Sequence, residues 1–179
     1  AKYFESFAKA DTIVFDKTGT LTEAQPRLAR VFATDGWSED DVLRFSACLE
    51  EHFPHPVARA VVNAAKARGL EHRERHAAVE YIVAHGIASS IEGRRAVIGS
   101  AHFVFEDEHV LMDSEERERA ESEMQGFSPL YLAVDGEVVG VLGIEDPLKA
   151  GVKEAIAELH ALGVKHVVML TGDSERTAR

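Results

Sequence analysis

The chain has 179 residues, a formal net charge of −11 and one cysteine. This acidity excludes a nucleic-acid-binding surface, because no basic region is available to neutralise phosphates. A single cysteine excludes a disulfide framework and suits a reducing compartment, so we expect Cys48 to be a buried structural thiol. The longest apolar stretch, residues 138–144, is far shorter than the roughly 20 residues of a membrane span. With no signal peptide evident, we expect a soluble chain.

The first predicted element is a strand over residues 12–15, all β-branched or aromatic, as is typical of a buried parallel strand. It places Asp16 at the carboxyl end of the strand, where open α/β sheets carry their chemistry. Gly19 and the threonines around it predict a tight turn with free N–H and hydroxyl donors for phosphate oxygens. Asp16 is therefore predicted to be a nucleophile that forms an aspartyl-phosphate.

Helices are predicted at three places in the middle of the chain. Ser38 is expected to cap the first, with Asp41 completing a weak capping box. Pro56 is expected in the first turn of the second, which Gly69 ends. The segment 114–124, dense in Glu and Arg, predicts a solvated helix without a functional role.

Strands in the same region lack the regular rhythm of βαβ units. The pair Asp135-Gly136 is a strong hairpin signal between two of them. We therefore predict an inserted α+β module built on an antiparallel sheet. The strand-like runs lie at residues 28–33, 79–84, 96–99, 130–134 and 137–143.

The α/β pattern returns near the end of the chain. Helical spacing over residues 147–162, closed by Gly163, is followed at once by a strand over 165–170. A helix that leads into a parallel strand returns the chain to the sheet of strand 12–15. We predict an α/β, Rossmann-like core interrupted by the inserted module, with segments 1–22, 23–144 and 145–179.

The residues after the first strand resemble the phosphorylation motif of the P-type ATPases, the ATP-driven cation pumps. They run Asp-Lys-Thr-Gly-Thr-Leu-Thr from Asp16 to Thr22. Later, Thr171-Gly172-Asp173 resembles the family's Thr-Gly-Asp segment, whose threonine holds the transferred phosphoryl oxygens. The resemblance implies a partial haloacid-dehalogenase-like core interrupted by a nucleotide-binding domain. The catalytic residues that it implies are Asp16, Lys17, Thr18, Thr171, Gly172 and Asp173.

Thr18 distinguishes between two kinds of enzyme in this superfamily. Soluble phosphatases carry a second aspartate at this position, as a general acid/base that helps water to cleave the acyl phosphate. Because threonine lacks a carboxylate, the resemblance implies a longer-lived phosphoenzyme. Thr18 therefore favours a pump over a phosphatase.

Part of the inserted module resembles the nucleotide site of the heavy-metal branch of the family. Glu50 followed by His55-Pro56 is similar to that branch's Glu and its Ser-Glu-His-Pro signature, with Phe53 and Pro54 in place of Ser and Glu. The resemblance implies that His55 stacks on or bonds to the adenine of ATP. It also implies that Glu50 accepts a hydrogen bond from the adenine amino group.

Two glycine-bearing segments extend this resemblance. The branch's Gly-x-Gly-Ile corresponds to residues 84–87, where Ala84 replaces the first glycine, and its later Gly-Asn or Gly-Ser corresponds to Gly99-Ser100. A glycine lets the backbone approach a nucleotide closely. The nucleotide-binding residues that the resemblance implies are Glu50, His55, Gly86, Ile87, Gly99 and Ser100.

Mg²⁺ is implied as well, since phosphoryl transfer needs a hard cation to neutralise charge. Its implied ligands are the Asp16 carboxylate and the Thr18 backbone carbonyl. The family's other metal ligands belong to a later motif that does not occur before Arg179, so we expect weak Mg²⁺ binding and little turnover from this fragment. Asp146, which precedes a proline, resembles the family's hinge segment and is also typical of a helix start, and the two roles are compatible.

Together these features imply the cytoplasmic catalytic part of a membrane-bound pump, most similar to those of the heavy-metal branch. The implied partners are ATP, the rest of the pump polypeptide and a cation held by membrane helices outside this chain. The sequence identifies neither the ion nor the direction of transport. Two alternatives stay open: a soluble phosphatase of the haloacid-dehalogenase type, and a non-catalytic nucleotide-sensing module.

Overall fold

The computed structural model describes residues 10–51, 53–70, 80–82, 86–91 and 93–170, with backbone alone for 80–82. These residues form two units, which are treated separately below. Among the described residues, the terminal unit comprises 10–25 and 146–170, and the central unit comprises those from Pro26 to Glu145. Four residues singled out in the sequence lie outside the described part of the chain, namely Ala84, Thr171, Gly172 and Asp173.

The regular elements of the described residues are eight strands and four α-helices. In chain order they are β1 (Thr12–Asp16), β2 (Arg27–Ala33), α1 (Glu39–Glu50), α2 (Pro56–Ala67), β3 (Glu80–Ile82), β4 (Gly86–Ile91), β5 (Arg94–Gly99), α3 (Ser114–Glu123), β6 (Ser128–Val134), β7 (Glu137–Glu145), α4 (Val152–Ala161) and β8 (His166–Leu170). An irregular turn, Lys17–Leu21, with non-helical backbone at Thr18 and Gly19, and a π-helical turn, His102–Asp107, complete the set.

In the terminal unit, β1 pairs in parallel with β8, from Thr12 opposite His166 to Asp16 opposite Leu170. The helix α4 precedes β8 directly along the chain. A parallel pair joined through a helix is the connection that α/β folds use, so the predicted α/β core is confirmed.

The predicted helix start at residue 147 is wrong, because α4 begins at Val152. The preceding backbone pairs with the chain after the first turn instead. Glu23 N–H donates to the Pro147 carbonyl and Lys149 N–H donates to the Leu21 carbonyl, both at 2.9 Å. Backbone groups engaged in these long-range bonds are not available to a first helical turn.

The central unit is built on a six-stranded sheet with the order β2-β7-β6-β5-β4-β3, antiparallel throughout. The hairpin of β6 and β7 turns at Asp135 and Gly136, whose φ angles are both positive, at 53° and 87°. This is the backbone that a two-residue hairpin turn requires. The Asp135 carboxylate fixes the turn further by accepting from the backbone N–H of Arg95 at 3.0 Å. The predicted antiparallel module and its hairpin are confirmed.

Both faces of this sheet are covered. Alternate residues of β5 go to opposite sides: Ala96 and Ile98 join the core under α1 and α2, whereas Val97 joins a second core with Phe103 and Met124. The strands are therefore apolar on both faces, as in a layered α/β structure, although the sheet is antiparallel.

The three helices of the central unit begin where the sequence predicts. The Ser38 hydroxyl accepts from the Asp41 N–H at 3.1 Å, and Pro56 opens α2 with His55 as its N-cap. The helix α3 is largely solvated and buries Ala120 alone within its span.

Two elements have no counterpart in the sequence prediction. The strand β4 starts at Gly86 and continues through Ala and Ser, residues of low strand propensity. The π-helical turn His102–Asp107 buries Phe103 and Val104 beneath the sheet. Among the described residues, no helix has the length and apolarity to cross a bilayer.

Candidate functional site

Asp16 ends β1 and its side chain is exposed. Its carboxylate makes no capping bond to the turn that follows. Gly19, with φ of +78°, reverses the chain there in a conformation that side chains disfavour. The structure thus presents a carboxylate at the carboxyl end of a parallel strand, in contact with solvent.

The donors that were predicted to be free around this turn are partly engaged. The Gly19 N–H donates to the Thr22 hydroxyl at 3.1 Å, and that hydroxyl donates to the Asp146 carboxylate at 2.5 Å. Thr22 is also buried, at 2% exposure. The prediction of free donors is therefore wrong for Gly19 and Thr22, because both close the turn onto the returning chain.

The Asp146 side chain links the segment that precedes α4 to the segment that follows β1. One carboxylate oxygen receives the Thr22 hydroxyl, and the other accepts from the Gln25 N–H at 3.1 Å. Of the two roles expected for Asp146, the start of a helix is wrong, since α4 begins at Val152.

Lys149 was missed by the sequence analysis. Its ammonium donates to the Gly19 carbonyl at 2.5 Å and so reaches the turn after β1 from a segment far along the chain. A single lysine two residues after a proline carries no signal of such a contact.

The central unit contains a cavity of about 220 Å³ between the end of α1, the start of α2 and the strands β4, β5 and β6. It brings together all of the nucleotide-binding residues named from the sequence and adds an apolar lining. The lining comprises Glu50, Phe53, His55, Val57, Gly86, Ile87, Ile98, Gly99, Ser100 and Leu130.

His55 is a polar group of this pocket whose ring makes a hydrogen bond to the start of α2. As N-cap of α2, it accepts the Val57 N–H at Nδ1, at 3.3 Å. An Nδ1 that accepts leaves the proton of the neutral ring on Nε2. The ring of Phe53 stacks on the imidazole, with centroids 5.8 Å apart and planes inclined by 25°.

Glu50 is the buried polar group of the pocket, at 5% exposure. Burial raises the pKa of its carboxyl group from 4.5 to about 7, because the charged form is poorly solvated there. An acid with this pKa exchanges its proton near neutral pH.

Gly86 lines the pocket for a reason that the sequence analysis did not anticipate. A Cβ at this position would collide with the ring of Phe103 and lie 2.6 Å from the Ile98 carbonyl oxygen. The glycine is thus required by packing within the protein itself. Ile87, next to it, is 2% exposed and belongs to the core under the helices.

The apolar walls of the pocket were missed, since Val57, Ile98 and Leu130 have the spacing of ordinary core residues. Phe53 was noted in the sequence only as a departure from the family signature. Its stacking on His55 gives this departure a structural role.

Metal-binding groups are sparse in the part of the chain that the structure describes. No cluster of three or more His, Cys, Asp or Glu side chains occurs there. The Asp16 carboxylate and the Thr18 carbonyl are oxygen donors, of the kind that Mg²⁺ prefers.

Comparison with known proteins gives close relatives among metal pumps. The chain is 40% identical over 181 residues to a copper-exporting P-type ATPase of Legionella pneumophila subsp. pneumophila, covering 99% of this chain and 24% of that protein. It is 34% identical over 179 residues to a zinc-exporting P-type ATPase of Mycobacterium marinum, with 99% and 24% covered. The chain thus spans about a quarter of the length of these relatives.

A solved structure agrees with these relatives. The crystal structure of a zinc-transporting PIB-type ATPase in the E2.Pi state superposes with a TM-score of 0.70 at 32% identity, covering 97% of this chain and 28% of the other. The predicted resemblance to heavy-metal P-type ATPases is thereby confirmed. The family of haloacid dehalogenase-like hydrolases matches residues 10–179, and the chain belongs to this family.

Proposed function

We propose that this chain is the catalytic fragment of an ATP-driven pump for transition-metal cations, which binds ATP in the central unit and accepts its γ-phosphate on Asp16. The observation that carries the proposal is the pocket, because residues from four separate segments line one cavity. A buried acid, an oriented imidazole and apolar walls are what a site for a flat heterocycle needs.

Glu50 and His55 recognise different parts of the adenine base. In its ionised form, the Glu50 carboxylate accepts from the exocyclic amino group of adenine. His55 offers its ring face and its Nε2–H, since Nδ1 is already engaged. The apolar walls exclude water from the base and strengthen these polar contacts.

Asp16 supplies the chemistry. One of its carboxylate oxygens attacks the γ-phosphorus in line, the bond from phosphorus to the bridging oxygen breaks, and ADP leaves with that oxygen. Mg²⁺, held by the Asp16 carboxylate and the Thr18 carbonyl, would neutralise charge on the phosphates. Lys17 is proposed to add positive charge nearby, and Thr171, Gly172 and Asp173 to bind the transferred group.

The proposed pump function also requires parts of the polypeptide outside this chain. The relatives are named for copper and for zinc, so the family likeness leaves the ion open. The cation is proposed to bind in membrane helices outside this chain, with the present fragment on the cytoplasmic side.

The nucleotide site is tested by titrating the chain with a non-hydrolysable ATP analogue and following backbone amide NMR. We expect shifts centred on Glu50, His55, Gly86 and Gly99, and binding at least several-fold weaker in His55→Ala. His160→Ala, an exposed histidine of the terminal unit, is the matched control. Binding that is indifferent to His55 contradicts the site.

Phosphoryl transfer is tested in the full-length pump with ATP labelled at the γ-phosphate. We expect acid-stable label on the protein, and complete loss of label in Asp16→Asn. Asp11→Asn, directly before the same strand, should retain it. Absence of label in the unaltered pump would favour a nucleotide-sensing module, and rapid turnover without label a phosphatase.

A further inference from the structure

Phe53 lies at the centre of the turn that joins α1 to α2. Its N–H donates to the Glu50 carbonyl at 2.9 Å, and its carbonyl accepts from the His55 N–H at 2.8 Å. These two bonds place Phe53 between the polar residues of the pocket, and its side chain lines the same cavity. The position is therefore set by the backbone as well as by packing.

The rings of Phe53 and His55 form one aromatic surface. A centroid separation of 5.8 Å and an inclination of 25° fall within the range of offset stacking. This spacing leaves no room for a third ring between the two, so a base cannot insert there. A nucleobase must pack against the pair as a whole.

Two contacts then restrain the otherwise exposed imidazole of His55. The Val57 N–H holds its edge at Nδ1, and the Phe53 ring covers one of its faces. The first contact is a hydrogen bond of 3.3 Å, a long one, and leaves the ring free to tilt about it. The second contact opposes that tilt.

We propose that Phe53 is a positioning residue of the nucleotide pocket: its ring holds the His55 imidazole in the plane and tautomer that receive the base. This inference rests on the proposed function and adds a residue to it. It also gives a physical role to Phe53, which stands where the related signature has a serine.

The test compares ring-retaining and ring-removing substitutions in the whole chain. Phe53→Leu keeps an apolar side chain but removes the ring, and Phe53→Tyr keeps the ring. Phe45→Leu is the matched control, since the Phe45 ring packs against the same core and contacts Trp37 edge-on at 5.3 Å, outside the pocket lining.

We expect Phe53→Leu to bind the non-hydrolysable ATP analogue about 3- to 10-fold more weakly, the range that aromatic pairing provides. Phe53→Tyr and Phe45→Leu should stay within about twofold of the unaltered chain. Nitrogen NMR of the His55 ring gives a second readout in the absence of nucleotide. A single Nε2–H tautomer is expected in the unaltered chain and in Phe53→Tyr, and a mixture of tautomers in Phe53→Leu.

The outcomes separate this inference from the proposed function. If the unaltered chain binds the analogue and Phe53→Leu binds it equally well, the positioning role is overturned and the proposed function stands. If Tyr fails to restore what Leu loses, the role is likewise overturned. If the unaltered chain does not bind the analogue, the proposed function fails, and the inference fails with it.

Discussion

The two units build their sites in opposite ways. In the terminal unit the candidate site is a run of consecutive residues after β1, and only Leu21 and Thr22 are buried among the residues described there. In the central unit the pocket is assembled from distant segments held by two apolar cores. The first site is held by one turn and by a few hydrogen bonds to the returning chain, whereas the second depends on the packing of a whole sheet.

This difference predicts that changes in the pocket alter the stability of the central unit, while changes around the turn after β1 act locally. Trp37, the single tryptophan, packs against the core of the central unit and reports on its unfolding by fluorescence.

The largest expected effect concerns Glu50. Its pKa is about 7 in the folded chain and 4.5 without burial, so the folded state holds the extra proton between these values. Stability from this group is fully present below pH 4.5 and is lost as the pH rises through 7, by on the order of 3 kcal/mol. Urea unfolding followed through Trp37 at pH 5 and pH 8 measures this loss.

Glu50→Gln should remove most of that pH dependence, because the amide stays neutral, and should raise stability at pH 8. Glu51→Gln, an exposed neighbour, should leave the dependence unchanged. A profile that is the same in Glu50→Gln and in the unaltered chain would show that another group titrates.

A smaller effect is expected at Gly86. The Cβ of Gly86→Ala meets the Phe103 ring and the backbone of Ile98, which cannot shift without disturbing the sheet. We expect a loss of about 1–3 kcal/mol in the Trp37 transition, typical of overpacking, together with weaker binding of the ATP analogue.

Gly126→Ala controls for the substitution itself. Gly126 has a φ of +86° and open space around it, so the cost there is conformational, about 1 kcal/mol, without a clash. Retention of full stability by Gly86→Ala would contradict the close packing of Phe103.

The smallest effect is expected at Asp146. Asp146→Asn retains one acceptor oxygen but weakens the bonds to Thr22 and Gln25, at a cost of about 1 kcal/mol for partly exposed groups. Hydrogen exchange at the Gly19 and Gln25 amides should accelerate, while the Trp37 transition stays in place. A shift of that transition would mean that the two units are not energetically separate.

The same contrast explains what the sequence could predict. The turn after Asp16 and the hairpin at Asp135 depend on neighbouring residues, and both were predicted from short motifs. The strand β4 was missed because its place depends on pairing with β3 and β5 and on the packing of Gly86 against Phe103, which its own residues do not signal. The start of α4 was misplaced for a similar reason, since its preceding residues bond to the chain near Leu21.

For the pocket, the resemblance to heavy-metal P-type ATPases identified residues that their spacing in the sequence alone would not have grouped together. It named the polar groups and the glycines, but it gave a different reason for Gly86 and treated Phe53 as a departure. Apolar walls such as Ile98 are indistinguishable from core residues until the strands are paired.

The pairing of β2 with β7 brings the two ends of the central unit together. Arg27 lies directly opposite Glu145, so the unit is entered and left at neighbouring positions of one antiparallel ladder. Cα atoms in such pairs are about 5 Å apart, so the two ends of the central unit lie as close together as the ends of a tight loop. Strand pairing within the unit offsets the conformational entropy that is lost when these two ends are brought together. Force applied across these two ends would open the ladder one bond at a time, from Arg27 inward.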